Sequence, residues 1–541
     1  MRQACPRGTA VTRVRDALGE LFRDQDFLSD DLREMFSELG RPALSPAKLT
    51  MVLVLQFLEN LTDRETVQAV ALRLDWKYAL GMDPGEPAFD ASVLSEFRDR
   101  ISQGDRVDRL LAVMVERLRQ AGLVRRGGRQ RTDSTHVLGA VRQLSRFELV
   151  AETLRATLEQ IAAIVPDWVS GLLEPGWDRR YGRRVEAFRL VPKGASVKPL
   201  AEQVGADGRK LLAAIDDETA WPWLGELPAV QVLRRVWDQQ YTCLPEGYPR
   251  WRESAELEEA ATEVRSPYDT ETRHSGKRGM EWDGYKTHVT ETCDPDLPHL
   301  VTHVADTPAT DPDVTMTTAI EHDLVARELA PGEHLVDMGY TSDEARLEAQ
   351  RAGIDLVGPV RPSGGRNAKN SGMFTIADFH IDWESNTATC PQGQTSRPGR
   401  PGTASGRPHV RFPFTVADCR TCPLRPRCTR STDPDHARQL IVPPRERHEL
   451  RHDAAVEQQS DTWRARYRAR AGIEGTISQL VRSFGARRTR YTGLAKTHTQ
   501  HVLTGMACNL ARLGDWYDPH PKAPRPGTRV RTLCEARGLT T

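Results

Sequence analysis

Residues 132–137 read TDSTHV, a short β-prone stretch that carries a single acid, Asp133. Alternation returns at Tyr285–Thr292 (YKTHVTET) and at His299–Val304 (HLVTHV), and a two-residue period casts these as an antiparallel pair. Asp311-Pro312 then caps a helix ending near Pro331-Gly332, and HLVDM follows as a strand with Asp337 near its end. Thr341-Ser-Asp-Glu344 has the form of a capping box that opens a further helix. IDLVGPV (354–360) is a continuous apolar run of the kind found in strands buried on both faces. The order is β, β, β, α, β, α, β. It describes an α/β chain with a mixed sheet, and a long helical insertion separates the first two strands.

Working outward, 541 residues at roughly 100–200 per domain make about three or four domains. Residues 1–125 read as a helical domain. Ser45 places a capping hydroxyl before Pro46, an apolar stretch runs to Leu58, and Thr62-Asp-Arg-Glu65 fits a capping box. A third helix starts near Asp90 and carries Val93, Leu94, Phe97 and Ile101. Bundles of this kind serve as packing domains and as DNA-binding domains. A basic run, Arg125–Arg131, leads into the strand of Asp133. Residues 144–264 form the helical insertion, with Leu149, Leu154 and Leu158 in series. Residues 361–454 are rich in Gly, Pro and Ser and hold four of the nine cysteines. A long helix resumes around Asp461 and continues past Leu480, so that 126–143, 265–360 and 455–515 compose one interrupted core. Residues 516–541, with DPHPKAPRPGTR, read as a loose tail.

Cations and acids balance at 75 each, so whole-chain charge points to no polyanionic partner. The distribution does. Between Thr462 and Gln500 nine Lys and Arg face one carboxylate, Glu474, a local field that attracts phosphates. Arginine supplies 65 of the 75 cations, which suits phosphate recognition, although GC-rich codons produce the same excess. Apolar runs such as Met51–Leu55 fall far short of the ~18 residues that span a membrane. The opening MRQACPRGTAVTRVRD lacks the apolar segment of a secretory leader, so the expected location is cytoplasmic.

Three acids stand out by position. Asp133 lies in the first strand, Asp337 ends a strand expected beside it, and Glu474 sits alone among arginines. Singly, each is ordinary, a solvated strand residue or a salt-bridge partner. Together they supply hard oxygen ligands from rigid elements, as phosphoryl transfer by two Mg²⁺ ions about 3.5–4 Å apart requires.

The blocks TDSTHV, LVDMGYTSDEA and YRARAGIEGTISQ, in this order, resemble the DDE transposases of bacterial insertion sequences, whose catalytic core has a ribonuclease H-like fold. LSPAKL, LTDRETV, LRLDWKYALG and FDASVLSEFRDRI resemble the helical N-terminal domain of that family, so the likeness covers nearly the whole chain. The resemblance implies that Asp133, Asp337 and Glu474 bind the catalytic Mg²⁺ (or Mn²⁺). It also implies DNA partners, the terminal inverted repeats and the target, and a homodimer assembled on DNA. One branch carries a Tyr-x2-Arg-x3-Glu-x6-Lys signature, and Tyr467, Arg470 and Glu474 match it. At about 100° per residue these three share one side of a helix. That places Arg470 near the scissile phosphate; Tyr467 reads equally as a packing residue. The lysine position is Val481, which cannot contact phosphate, and Arg482 lies one residue on, rotated by about 100°. Arg482, Arg487 and Arg488, with Arg490 and Lys496, suit a surface that tracks a DNA backbone, and a solvated helix face has the same composition. His136 and Lys286, on strands of the expected sheet, read as structural, with an approach to DNA as the alternative.

Cys419-x2-Cys422-x5-Cys428, with Cys390 upstream, offers four thiolates for a structural Zn²⁺, and reduced free thiols or a redox role are the alternatives. Two other functional classes remain open. One is a ribonuclease H-like metal-dependent nuclease that cuts without joining. The other is an inactive, DNA-binding derivative.

Overall fold

Helices α1 (Ala10–Leu18), α2 (Pro46–Glu59), α3 (Asp63–Leu72), α4 (Leu74–Leu80), α5 (Ser92–Ile101) and α6 (Arg106–Gln120) precede the sheet. They are seen in a computed structural model that describes residues 8–27, 44–217, 220–243, 248–277, 279–360, 372–404, 406–520 and 529–539. Both expected caps form. The Ser45 hydroxyl accepts the Lys48 N–H, and Thr62 and Glu65 satisfy each other's backbone N–H groups. Helix α2 is apolar on all sides, with Val52, Leu53, Val54 and Leu55 all buried, because it is enclosed by its neighbours.

The core strands are β1 (Arg129–Leu138), β2 (Arg273–Lys277), β3 (Met280–Thr292), β4 (Val301–Pro308), β5 (Glu333–Val336) and β6 (Asp355–Val357). Strand β3 lies antiparallel between β1 and β4, while β5 and β6 continue the sheet parallel to β1. The order is therefore β4-β3-β1-β5-β6, with β2 folded as a hairpin onto Met280–Gly284 of β3. This curled mixed sheet, with its helical additions, is a ribonuclease H-like α/β architecture. The hairpin strand β2 is not signalled by RHSGK, which has no apolar alternation.

The insertion after β1 contains α7 (Arg146–Ile164), α8 (Lys198–Ile215) and α9 (Pro228–Gln240) around a buried cluster of its own that includes Leu149, Leu154, Val204, Leu211 and Leu233. Within this insertion, residues 218, 219 and 244–247 lie outside the described residues. Helix α10 (Val314–Ala326) joins β4 to β5, and α11 (Asp343–Arg351) joins β5 to β6. Each differs from its sequence reading at an end. Helix α10 stops at Ala326, short of Pro331, where Glu328 turns to φ 55. The cap of α11 is Ser342, whose hydroxyl accepts the Ala345 N–H, since Thr341 instead donates to Met338 and Pro359 carbonyls.

Beyond β6, strands β7 (Arg400–Ala404), β8 (Arg407–Pro413) and β9 (Gln439–Val442) form a small antiparallel sheet, and α12 (Arg445–Glu457) follows. The expected continuous helix from Asp461 is broken. Helix α13 (Asp461–Tyr467) passes through a 3₁₀ turn (Arg468–Ala471) into α14 (Gly472–Phe484). A second helix not read from the sequence, α15 (Leu494–Trp516), is almost wholly buried. The polar run Thr497–His501 masks an apolar period, yet the helix packs at the centre of the main core. Buried residues of α2–α6, β4, α10 and α15 belong to one continuous apolar cluster. At Gly505 a Cβ would stand 3.2 Å from Val301 and Val304, so α15 lies directly on β4. The tail contains α16 (Arg529–Ala536), with Val530 and Leu533 exposed; 521–528, 540 and 541 are outside the described residues.

Candidate active site

Register carries two of the acids to the same end of one strand pairing. Strands β1 and β5 are parallel, with Thr132 opposite Val336, so Asp133 and Asp337 each follow the last residue paired between these strands, and the Asp337 charge acts on the Asp133 carboxyl. Adjacent strands lie about 4.8 Å apart. Each carboxylate is also oriented locally. Asp133 Oδ1 accepts the Ser134 N–H at 2.8 Å, and Asp337 Oδ1 accepts the Gly339 N–H at 2.7 Å. A Cβ at residue 339 would stand 2.8 Å from that Asp337 oxygen, so glycine keeps the approach open.

The third acid arrives from a distant segment. Arg470, in the 3₁₀ turn, donates from Nη2 to Asp133 Oδ2 at 2.6 Å and from Nη1 to Glu474 Oε1 at 2.9 Å. The side chains of Asp133 and Arg470 are both 14% exposed, whereas that of Glu474 is 67% exposed. Burial pushes the Asp133 carboxyl up to about 6, against the pull of the Arg470 guanidinium and with help from the neighbouring Asp337 charge. Lys277, at the end of β2, acts on Asp133 in the same sense as Arg470. Tyr467 is half-buried, stacks on Trp463 at 4.7 Å and has its phenol raised by burial, so packing is part of its role.

The turn is held by residues that sequence reasoning missed. Arg131, two positions before Asp133, donates to the Ala469 carbonyl at 2.5 Å and to Glu291 Oε1 at 2.7 Å. Glu291 is fully buried and also accepts from Thr476 at 2.7 Å and from Arg512 at 2.6 Å. Arg129 reaches the Arg466 carbonyl, and Arg466 pairs with Glu333 and Asp355. The available signal was the alternation of a strand, since Arg129, Arg131 and Asp133 share one side of β1.

The arginines after Glu474 divide into two groups. Arg482 and Arg488 are exposed, and no ion pair joins either to another described residue. Arg487 is half-buried with Nη1 2.7 Å from His136 Nδ1, and burial together with that guanidinium lowers His136 to about 4. Arg490 binds Asn60 and the Leu61 carbonyl, and Lys496 pairs with Asp99 at 2.8 Å, so both tie the late segment to the N-terminal helices. Val481 is half-buried beside exposed Arg482. Lys286 is committed to Asp313 and the Asp311 carbonyl.

Cys390, Cys419, Cys422 and Cys428 do converge, lining one small cavity with Phe379, Phe414 and Arg438. All four are free thiols. Burial, aided by the neighbouring sulfurs and opposed by Arg438, raises Cys428 to about 11. Among the described residues no three His, Cys, Asp or Glu side chains stand in a metal-holding arrangement. For the cysteines this corrects the zinc expectation, because the cavity is an apolar pocket against aromatic rings. For the three acids the reason differs. A guanidinium stands between Asp133 and Glu474 as a cation in its own right, and the oxygen donors suit Mg²⁺ or Mn²⁺.

Two family models match the chain. One, described as a transposase DDE domain, covers residues 389–514 and takes in Arg470 and Glu474, though neither Asp133 nor Asp337. The other, described as a transposase domain (DUF772), covers residues 7–100, which include α1–α4. No curated protein and no solved structure matches. The matches support a transposase, and with it an enzyme of DNA cleavage in general. No described helix is long and apolar enough to cross a membrane.

Proposed function

We propose that this chain is a DNA transposase of the branch with the Tyr-Arg-Glu-Lys signature. In this reading it binds the terminal inverted repeats of its own insertion sequence, cleaves a phosphodiester at each end to free a 3′-hydroxyl, and joins that hydroxyl to target DNA. The observation that carries the reading is Arg470, which bonds both Asp133 on β1 and Glu474 on α14 while the Asp337 charge acts on the same Asp133 carboxyl. Asp133, Asp337 and Glu474 would hold Mg²⁺ or Mn²⁺, which when bound supplies activation of the attacking oxygen and charge neutralisation at the leaving oxygen.

The chain's own residues set the geometry of that reaction. Asp133 and Asp337 are fixed by backbone N–H groups and by the sheet, so their positions need no reorganisation. Glu474, on the first turn of α14, is exposed and tied to the same site through Arg470. Arg482 and Arg488 present cations to a phosphate backbone, which positions DNA without reading its sequence. The N-terminal helices take the role of end recognition. Two ends must be held at once, so a homodimer on DNA is the expected assembly.

The test is excision and joining. A donor plasmid carries a marker between the gene's native flanking sequences, with the protein supplied from elsewhere as wild type or Glu474→Gln. Excision and strand-transfer products from wild type alone are expected. Cut ends with no joined product would make it a nuclease on the same fold. Neither product, from soluble wild-type protein, would refute the catalytic reading.

A further inference from the structure

The guanidinium of Arg470 is an unusual occupant for the centre of an acidic site. Its side chain is as enclosed as that of Asp133, and it bridges acids from two different elements, β1 and α14. Two of its N–H groups serve the acids, while the buried Nε–H has no acceptor among the described residues. A buried donor left unmet costs free energy, so this one is poised for an acceptor that the free protein does not supply. The acids meanwhile give their oxygens to a monovalent cation, Asp133 through Oδ2 and Glu474 through Oε1.

We propose that Arg470 is an exchangeable internal cation. It keeps Asp133 and Glu474 neutralised in the free protein, and it gives them up to divalent metal when a DNA phosphate is presented to its guanidinium. The inference rests on the metal-dependent reading above and adds to it a coupling. Because the phosphate and the acids compete for one guanidinium, DNA binding strengthens metal binding, and by reciprocity metal strengthens DNA binding. The planar fork of arginine suits both partners, since carboxylate and phosphate present matching pairs of oxygens. The free enzyme thereby holds its metal weakly, and the site is completed on the substrate.

The test is Mn²⁺ binding to the full chain, followed by the loss of the free-ion electron paramagnetic resonance signal at fixed pH and salt. Arg470→Gln removes the competing cation and is expected to bind Mn²⁺ about tenfold more tightly than wild type without DNA. Arg470→Lys keeps the charge but reaches one acid at a time, and an intermediate affinity is expected. A duplex of the element's own terminal sequence should tighten Mn²⁺ binding to wild type and leave Arg470→Gln nearly unchanged. Arg470→Gln binding Mn²⁺ no more tightly than wild type, or gaining as much from DNA, would overturn the exchange. Adding Asp133→Asn to Arg470→Gln should abolish the tight binding. If the doubly substituted protein bound Mn²⁺ equally well, the ion would lie elsewhere, and the metal assignment itself would fall.

Discussion

Replacing Gly472 with alanine should destabilise the protein, against ordinary helix propensity. Gly472 has helical dihedrals (φ −63°, ψ −25°), and alanine at such a site normally stabilises by up to ~1 kcal/mol. Here a Cβ would stand 2.6 Å from Nη2 of Arg131 and closer still to its Cζ and Nη1. Arg131 cannot step aside cheaply. Its side chain is 5% exposed and is tied to fully buried Glu291, the Ala469 carbonyl and His299. Forcing a methyl into such packing costs about 1–3 kcal/mol. Each charge-assisted hydrogen bond broken as the guanidinium shifts adds about 1.5–3 kcal/mol. Against the helix gain, the net expected loss is about 2–4 kcal/mol. Urea unfolding followed by tryptophan fluorescence measures it, and Gly475→Ala is the internal control. Gly475 is on the same helix with nothing within 4 Å of its Cβ position, so that variant should be unchanged or slightly more stable. If Gly472→Ala matched the control, the view of Arg131 as the rigid support of the 468–471 turn would be wrong.

Glu291→Gln leaves Arg131 and Arg512 buried without their counter-charge and should cost about 3–5 kcal/mol in the same urea assay. A loss below about 1 kcal/mol would show that the network contributes little. Burial opposes the charged form of His498, but Asp108 and Asp306 on its two ring nitrogens override it and hold the imidazolium up at about 10. A folded pKa raised above an unfolded value of about 6.5 contributes stability that is complete below pH ~6.5 and lost as pH climbs through 10. The urea midpoint of wild type should therefore converge on that of His498→Gln between pH 7 and 10; a pH-independent gap would contradict this. Arg482→Ala with Arg488→Ala should leave folding intact and lower the salt dependence of DNA binding, by about 0.9 in the log–log slope for each phosphate no longer neutralised. An unchanged slope would place the DNA elsewhere.

Much of the site was readable in one dimension because its first half depends on local pattern. Alternation located β1, β3 and β4, a buried-type run located β6, and the Asp133 and Asp337 strands were recognised as neighbours. The spacing set Tyr467, Arg470 and Glu474 on one side of a continuous helix; the chain there contains a 3₁₀ turn instead, and Arg470 pairs with Glu474. Other readings failed where local signals were weak or ambiguous. Helix α15, whose first half carries Thr497, His498, Thr499, Gln500 and His501 in succession, shows too little apolar contrast for its period to be seen, and its burial comes from its neighbours. The C-x2-C spacing suggested zinc, but spacing does not report whether thiols meet at a ligand point or line an apolar pocket.

Sequence by itself determined the main core strands and the caps at Ser45 and Thr62, since each follows from backbone periods and hydrogen bonds within a few residues. Only the tertiary structure decided what the acids of the site face. Arg470 and Asp133 are 337 residues apart, and Arg131 and Glu291 are 160 apart. No periodicity links such positions. They meet because burying charge in a low-dielectric interior is tolerable only when an opposite charge arrives from elsewhere in the fold.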